Sequence, residues 1–188
     1  MRNNYCMENR RTQIINLAAA LIRKKGYSSF TYDEISKHFG VTKASIHYHF
    51  EKKEDLGLAV LNQLYHELLS LKSELRQSSK SVEEKLHQYR VDRSSHFAEY
   101  DLCPISSLQS DYEVLPESMR QKLKEINELE LSIVADIVSE GITDPSVNVR
   151  ALAITILAAM KGTRLYNRGM QADFFPDILY GLTRLLKN

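Results

Sequence analysis

Between Ile35 and Phe50 the chain holds Lys37, His38, Lys43, His47 and His49 and no Asp or Glu. Cations and imidazoles at that density suit a polyanion, although a solvated basic surface has the same composition. The first 50 residues carry eight Lys/Arg against three acids, while the other 138 carry an excess of four acids, so a basic head sits on a mildly acidic body. His47 and His49 do not make a metal site, because alternate positions on a helix point about 200° apart. Ser94, Ser95 and His96 likewise face different directions on one helix, and there is no G-x-S-x-G, phosphate-binding Gly loop, H-E-x-x-H or Cys pair at zinc spacing. An enzyme is not expected, nor any metal or cofactor. Further on, Val82, Leu86, Tyr89, Arg93, Phe97 and Tyr100 fall at helical spacing, so Arg93 interrupts an apolar and aromatic stripe. A desolvated guanidinium needs an anion: either an internal acid such as Asp111 or Asp136, or a ligand carboxylate.

The elements that must position these groups are helices. Ile15, Ala18, Ala19 and Ile22 repeat at helical spacing up to a stop at Gly26. Thr31-Tyr32-Asp33-Glu34 is a capping box for a second helix that ends at Gly40. Thr42 caps a short third helix from Lys43 to His49, and a fourth runs from Lys53 to Gln77. Ser81-Val82-Glu83-Glu84 starts a fifth that reaches Tyr100; Pro104 and Pro116 each begin another; Asp144-Pro145 caps an eighth that reaches Arg168; the ninth spans Phe174 to Lys187. The fold class is therefore all-α, with a helix-turn-helix domain at residues 1–56 and a larger helical domain at 57–188.

Two short helices joined through Gly40 fit the helix-turn-helix pattern, whose second helix lies in a major groove. With Ile46 turned inward, steps of about 100° put Ala44, His47 and Tyr48 outward, and Lys43 one turn before His47. Ile15, Ala18, Ile22, Ile35, Phe39, Val41, Ile46 and Phe50 supply a three-helix core.

Thr31 through Leu56, together with Ile14-Ile15, Ala18, Ile22 and Gly26, resembles the DNA-binding domain of the TetR family of bacterial regulators. The resemblance implies an all-helical homodimer that binds a palindromic double-stranded operator and releases it when a small-molecule effector enters the C-terminal domain. It assigns Lys43, Ala44 and His47 to bases and Thr31, Ser45, Tyr48, His49 and Lys53 to phosphates, and counts Thr42, the cap of the same helix, among the DNA-binding residues. His47 departs from the Tyr usual in the family. A helical regulator that binds protein after losing DNA binding is the alternative.

An effector site is expected between helix five, the Pro104 segment and the Pro116 helix, near Tyr89, Arg93, Phe97 and Tyr112, since ligand cavities join aromatic walls to a few polar anchors. Ala151, Thr155, Ala158 and Gly162 form a small-residue stripe along helix eight. The resemblance assigns that helix and the ninth to the dimer interface; otherwise they only cover each other. Two Cys, of which Cys103 reads as a packing group, exclude a disulfide scaffold, and the longest apolar run, Ala151 to Met160, is ten residues. No membrane span is expected and the location is cytoplasmic.

Overall fold

A computed structural model of the chain describes residues 9–92 and 102–186, with side chains through Gly181. Arg93 and Phe97 lie outside the described residues. The order is α1 (Arg10–Lys25), α2 (Tyr32–Phe39), α3 (Lys43–His49), α4 (Lys53–Gln77), α5 (Val82–Asp92), α6 (Pro104–Ser110), a 3-10 turn (Tyr112–Val114), α7 (Glu117–Ser139), α8 (Val149–Met170) and α9 (Phe175–Leu186). Every described element is helical, as the periodicity requires.

Local chemistry sets most of the boundaries. Asn9 Oδ1 accepts from Arg11 N at 3.0 Å, and the Thr42 hydroxyl accepts from Ser45 N at 3.3 Å. At the start of α2 the capping box is reciprocal: Glu34 N donates to Thr31 Oγ1, and Thr31 N to Glu34 Oε2. Gly26 and Gly40 have φ of 84° and 63°, a region that side chains with a Cβ rarely enter. The start of α8 differs from the sequence expectation by several residues. Helix α8 is capped by Asn148, whose Oδ1 accepts from Ala151 N, whereas Asp144 closes a tight turn onto Ser146 N at 2.8 Å.

Leu56, Val60, Leu61, Leu64, Leu68, Leu71 and Leu75 form the buried stripe of α4, which packs on α7, while α7 packs in turn on α8. Gly57 lies at a close crossing of α4 and α7, where an added Cβ would come 2.6 Å from Met119 Sδ. The head therefore shares one hydrophobic cluster with the body. Two polar contacts strengthen the join: Ser107 Oγ donates to Ile22 O at 2.7 Å, and Tyr27 N donates to Asp111 Oδ2 at 2.5 Å. No described helix is long and apolar enough to cross a membrane.

Candidate nucleic-acid interface

Helix α3 has seven residues, too few to be stable alone, so packing must hold it. Ile46 does so with no exposed surface, and Phe50 closes the unit. The core beneath also takes Tyr27, Phe30 and Tyr32 from the α1–α2 connection and the start of α2, while Phe39 and Val41 are partly buried. Around the Ile46 anchor, Thr42, Lys43, Ala44, Ser45, His47 and Tyr48 are exposed and His49 is half-buried. Tyr48 is 87% exposed, which leaves a large aromatic side chain standing on the surface.

Each of these groups has defined surroundings. Lys43 Nζ reaches Asp33 Oδ2 on α2 at 2.8 Å, so the expected base contact is an ion pair in the free chain. His47 Nδ1 lies 3.0 Å from Glu51 O, and its ring meets the Tyr32 ring edge-on at 4.8 Å between centroids. Tyr32 is itself fixed by donating its hydroxyl to Phe50 O at 3.0 Å. The His49 ring stands edge-on to Tyr48. Thr31 is exposed, with its hydroxyl engaged by Glu34.

Lys53 has an internal role that its sequence position did not disclose. Its ammonium donates to Ser28 O at 3.0 Å and lies 4.8 Å and 4.5 Å from the Tyr27 and Phe30 ring centroids. Partial burial, followed by the nearby charge of Lys25, lowers its pKa. Burial, then Glu54 and Asp55, pushes the Tyr27 phenol up to about 12. Lys53 thus fastens the α1–α2 connection to the start of α4.

For Arg10 and Arg11 the sequence favours a frayed, solvated helix start over a phosphate contact. Cations at a helix N-terminus are disfavoured by the macrodipole. Here the two guanidinium groups stack over Phe39 and Phe50, at 4.8 Å and 4.9 Å, which compensates through cation–π attraction. The Glu34 carboxyl is held below its usual value of 4.5, first by Lys25 and then by Thr31 N–H. Its support for the head is therefore complete above that value and is lost as pH falls through the lowered one.

Of the expected effector residues only Tyr89 and Tyr112 are described, and these two stand apart. Tyr89 is buried and its hydroxyl donates to Glu130 Oε1 at 3.2 Å, while Tyr112 is 46% exposed beneath the Arg120 guanidinium. Arg120 and Glu130 are ten residues apart on α7, about 15 Å along the axis. Neither internal acid considered for Arg93 is idle: Asp111 accepts from Tyr27 N, and Asp136 pairs with Arg76 and Lys72. A cleft of about 550 Å³ lies instead between α1 and α4, lined by Asn16, Gln63, Glu67 and Glu74 and bordered by Asp92 and Pro104.

Three packed head helices, an outward-facing α3 and a helical body define a helix-turn-helix protein with a companion domain. Residues 14–60 match the model of the bacterial regulatory proteins of the tetR family. The whole chain has the fold of a TetR transcriptional regulator from Legionella pneumophila, at a TM-score of 0.84 and 27% identity over 97% of each chain. The chain is thus similar to TetR-family regulators along its length, and its head matches the family's own model. It is 28% identical over 134 residues to the fatty acid metabolism regulator protein of Bacillus subtilis, covering 69% of this chain and 66% of that one. To the biofilm operon negative transcriptional regulator IcaR of Staphylococcus epidermidis it is 27% identical over 115 residues, 61% of this chain and 62% of the relative. The alignments thus span slightly under two thirds of these relatives' lengths.

Proposed function

We propose that the chain is a ligand-responsive transcriptional repressor that binds a palindromic DNA operator as a homodimer and leaves it when a small-molecule effector binds the body. The observation that carries the DNA reading is the exposed row of Lys43, Ala44, His47 and Tyr48 around a fully buried Ile46. It is flanked by Arg10 and Arg11 held on aromatic faces. Repression is the direction named for the Staphylococcus relative. The homodimer reading is supported by α8, whose Ala151, Thr155 and Ala158 are exposed and whose Gly162 has open space where a Cβ would stand.

The test is selection of bound fragments from genomic DNA, followed by affinity measurement against salt. Six to ten phosphate contacts should cost about 10³–10⁵ in affinity between ~50 and ~200 mM salt. Equal affinity for selected and random DNA at ~150 mM would overturn the reading, and would be the outcome for a head that binds protein instead.

Asp33 sharpens this expectation. Replacing Asp33 by Asn frees Lys43 and removes a negative charge beside the bound backbone, so binding should tighten about two- to fivefold on all sequences. An exposed pair contributes little to folding, and stability should stay within ~0.5 kcal/mol. Unchanged affinity by fluorescence anisotropy would place Lys43 away from the DNA.

Arg93 remains the proposed anchor for an acidic effector. Arg93→Leu should preserve operator affinity without ligand and weaken release by the effector. A lowered melting temperature with release unaltered would return Arg93 to an internal ion pair.

A further inference from the structure

We propose that His47 is a specificity-determining residue which reads one base pair in each half-site through Nε2, with its base preference set by its own protonation. The inference rests on the DNA-binding reading above. A backbone carbonyl accepts and never donates, so the 3.0 Å contact between His47 Nδ1 and Glu51 O requires the proton to be on Nδ1. The neutral ring is thereby held as the Nδ1–H tautomer, and Nε2 is left as a bare acceptor. In the imidazolium both nitrogens carry protons, the Glu51 contact is kept, and Nε2 becomes a donor.

The ring is placed to make use of this. His47 is exposed, and among the described residues its Nε2 has no hydrogen-bond partner. Tyr32 supports the ring edge-on at 4.8 Å and is locked by its own bond to Phe50 O. Two contacts from different parts of the chain therefore fix an exposed side chain that would otherwise rotate freely. The ionisable groups on the surrounding elements are Tyr32 and Asp33 on α2, Lys43 on α3 and Glu51 in the following turn, with Arg11 of α1 over Phe50. Burial, then Asp55 and Tyr27, raises the Tyr32 phenol far above neutral pH, so Tyr32 does not titrate alongside an imidazole.

Complementary chemistry follows from the two states. An acceptor at Nε2 pairs with the exocyclic amino groups that adenine and cytosine present in the major groove; a donor pairs with guanine N7 or O6, thymine O4 or adenine N7, and cytosine offers it nothing. A Tyr at this position has a hydroxyl that donates and accepts at any physiological pH, and would give no such reversal.

Two measurements test the assignment. Nitrogen-15 correlation spectra of the full-length protein without DNA should show His47 as the Nδ1–H tautomer at about pH 8.5, above the range where imidazoles titrate. A predominant Nε2–H tautomer would overturn the proposal before any DNA is added. Anisotropy titrations would then use the selected operator and its single-base variants, at about pH 8.5 and about pH 5.5. The expected result is a preference at one pair per half-site that moves from adenine or cytosine toward guanine or thymine on acidification, by about tenfold. His47→Gln, an exposed and unchargeable replacement, should show no move, with the other histidines left in place. A preference that does not change with pH, or a change that persists in His47→Gln, sinks the His47 assignment alone. Absence of any sequence preference at both pH values sinks the DNA reading and this proposal with it.

Discussion

Thr155→Arg should produce a folded monomer that has lost most of its operator affinity. Thr155 lies on the exposed face of α8, its hydroxyl turned back to donate to Ala151 O at 3.0 Å. Ala151 and Ala158 flank it on the same exposed face, and Gly162 would meet nothing within 4 Å if given a Cβ. This stripe is therefore not used for close packing inside the chain, although small side chains are what allow two helices to approach. Large apolar groups stand exposed nearby: Ile154, Leu165, Tyr166 and Met170 on α8 and Tyr180 on α9. Leaving them in water forgoes about 25 cal/mol for each Å² that a partner would cover. A second copy related by a two-fold axis covers both faces at once and places two α3 helices for a palindrome. An arginine at the centre puts a long charged chain where helices must touch. Sedimentation at micromolar concentration should show a wild-type dimer and a variant monomer with the same helical circular dichroism. Loss of the second half-site should weaken operator binding about 10²–10⁴-fold, the usual gain from linked binding. A variant that still sediments as a dimer would move the interface elsewhere.

The sequence disclosed what local physics determines. Thr31 with Glu34, Thr42, Gly26 and Gly40 marked helix ends because side-chain caps and positive φ are written in single residues. The outward row on α3 followed from one buried Ile46 and the helical step. The start of α8 was misplaced because an Asp that closes a turn and one that caps a helix use the same hydrogen bond to a nearby N–H. What stayed hidden joins residues far apart in the chain. Tyr27 and Asp111 are 84 residues apart, and Lys53 is 25 from Ser28, so no periodicity reveals either contact. Burial of Tyr27 and Phe30 escaped for a related reason: connections between helices have no period to read. Gly57 shows the same gap, its crossing with Met119 visible only when α4 and α7 are together.

Lys161→Met should strongly destabilise the body. Glu130 is 3% exposed on α7, and its carboxylate receives the Tyr89 hydroxyl from α5 and Lys161 Nζ from α8, the latter at 2.5 Å. Three helices thus meet on one buried charge. Removing the cation leaves a carboxylate in the interior with a neutral donor alone, a situation that costs about 3–5 kcal/mol. Methionine keeps the length and apolar stem of lysine, so lost packing contributes little. For a chain of this size the melting temperature should fall by roughly 10 °C. The control is Glu130→Gln in the same background. Glutamine retains a carbonyl oxygen for Tyr89 and carries no charge, so the double variant should regain most of the loss. Recovery in the double variant identifies the unpaired charge as the cause, whereas an equal loss in both would mean that Lys161 acts through its stem. A single-variant loss below ~1 kcal/mol would show that water reaches Glu130. The same network bears on the effector. A ligand that took the Tyr89 hydroxyl would remove one of the donors to Glu130, and the Lys161 pairing that remained would tie that event to α8, the helix proposed for the dimer interface.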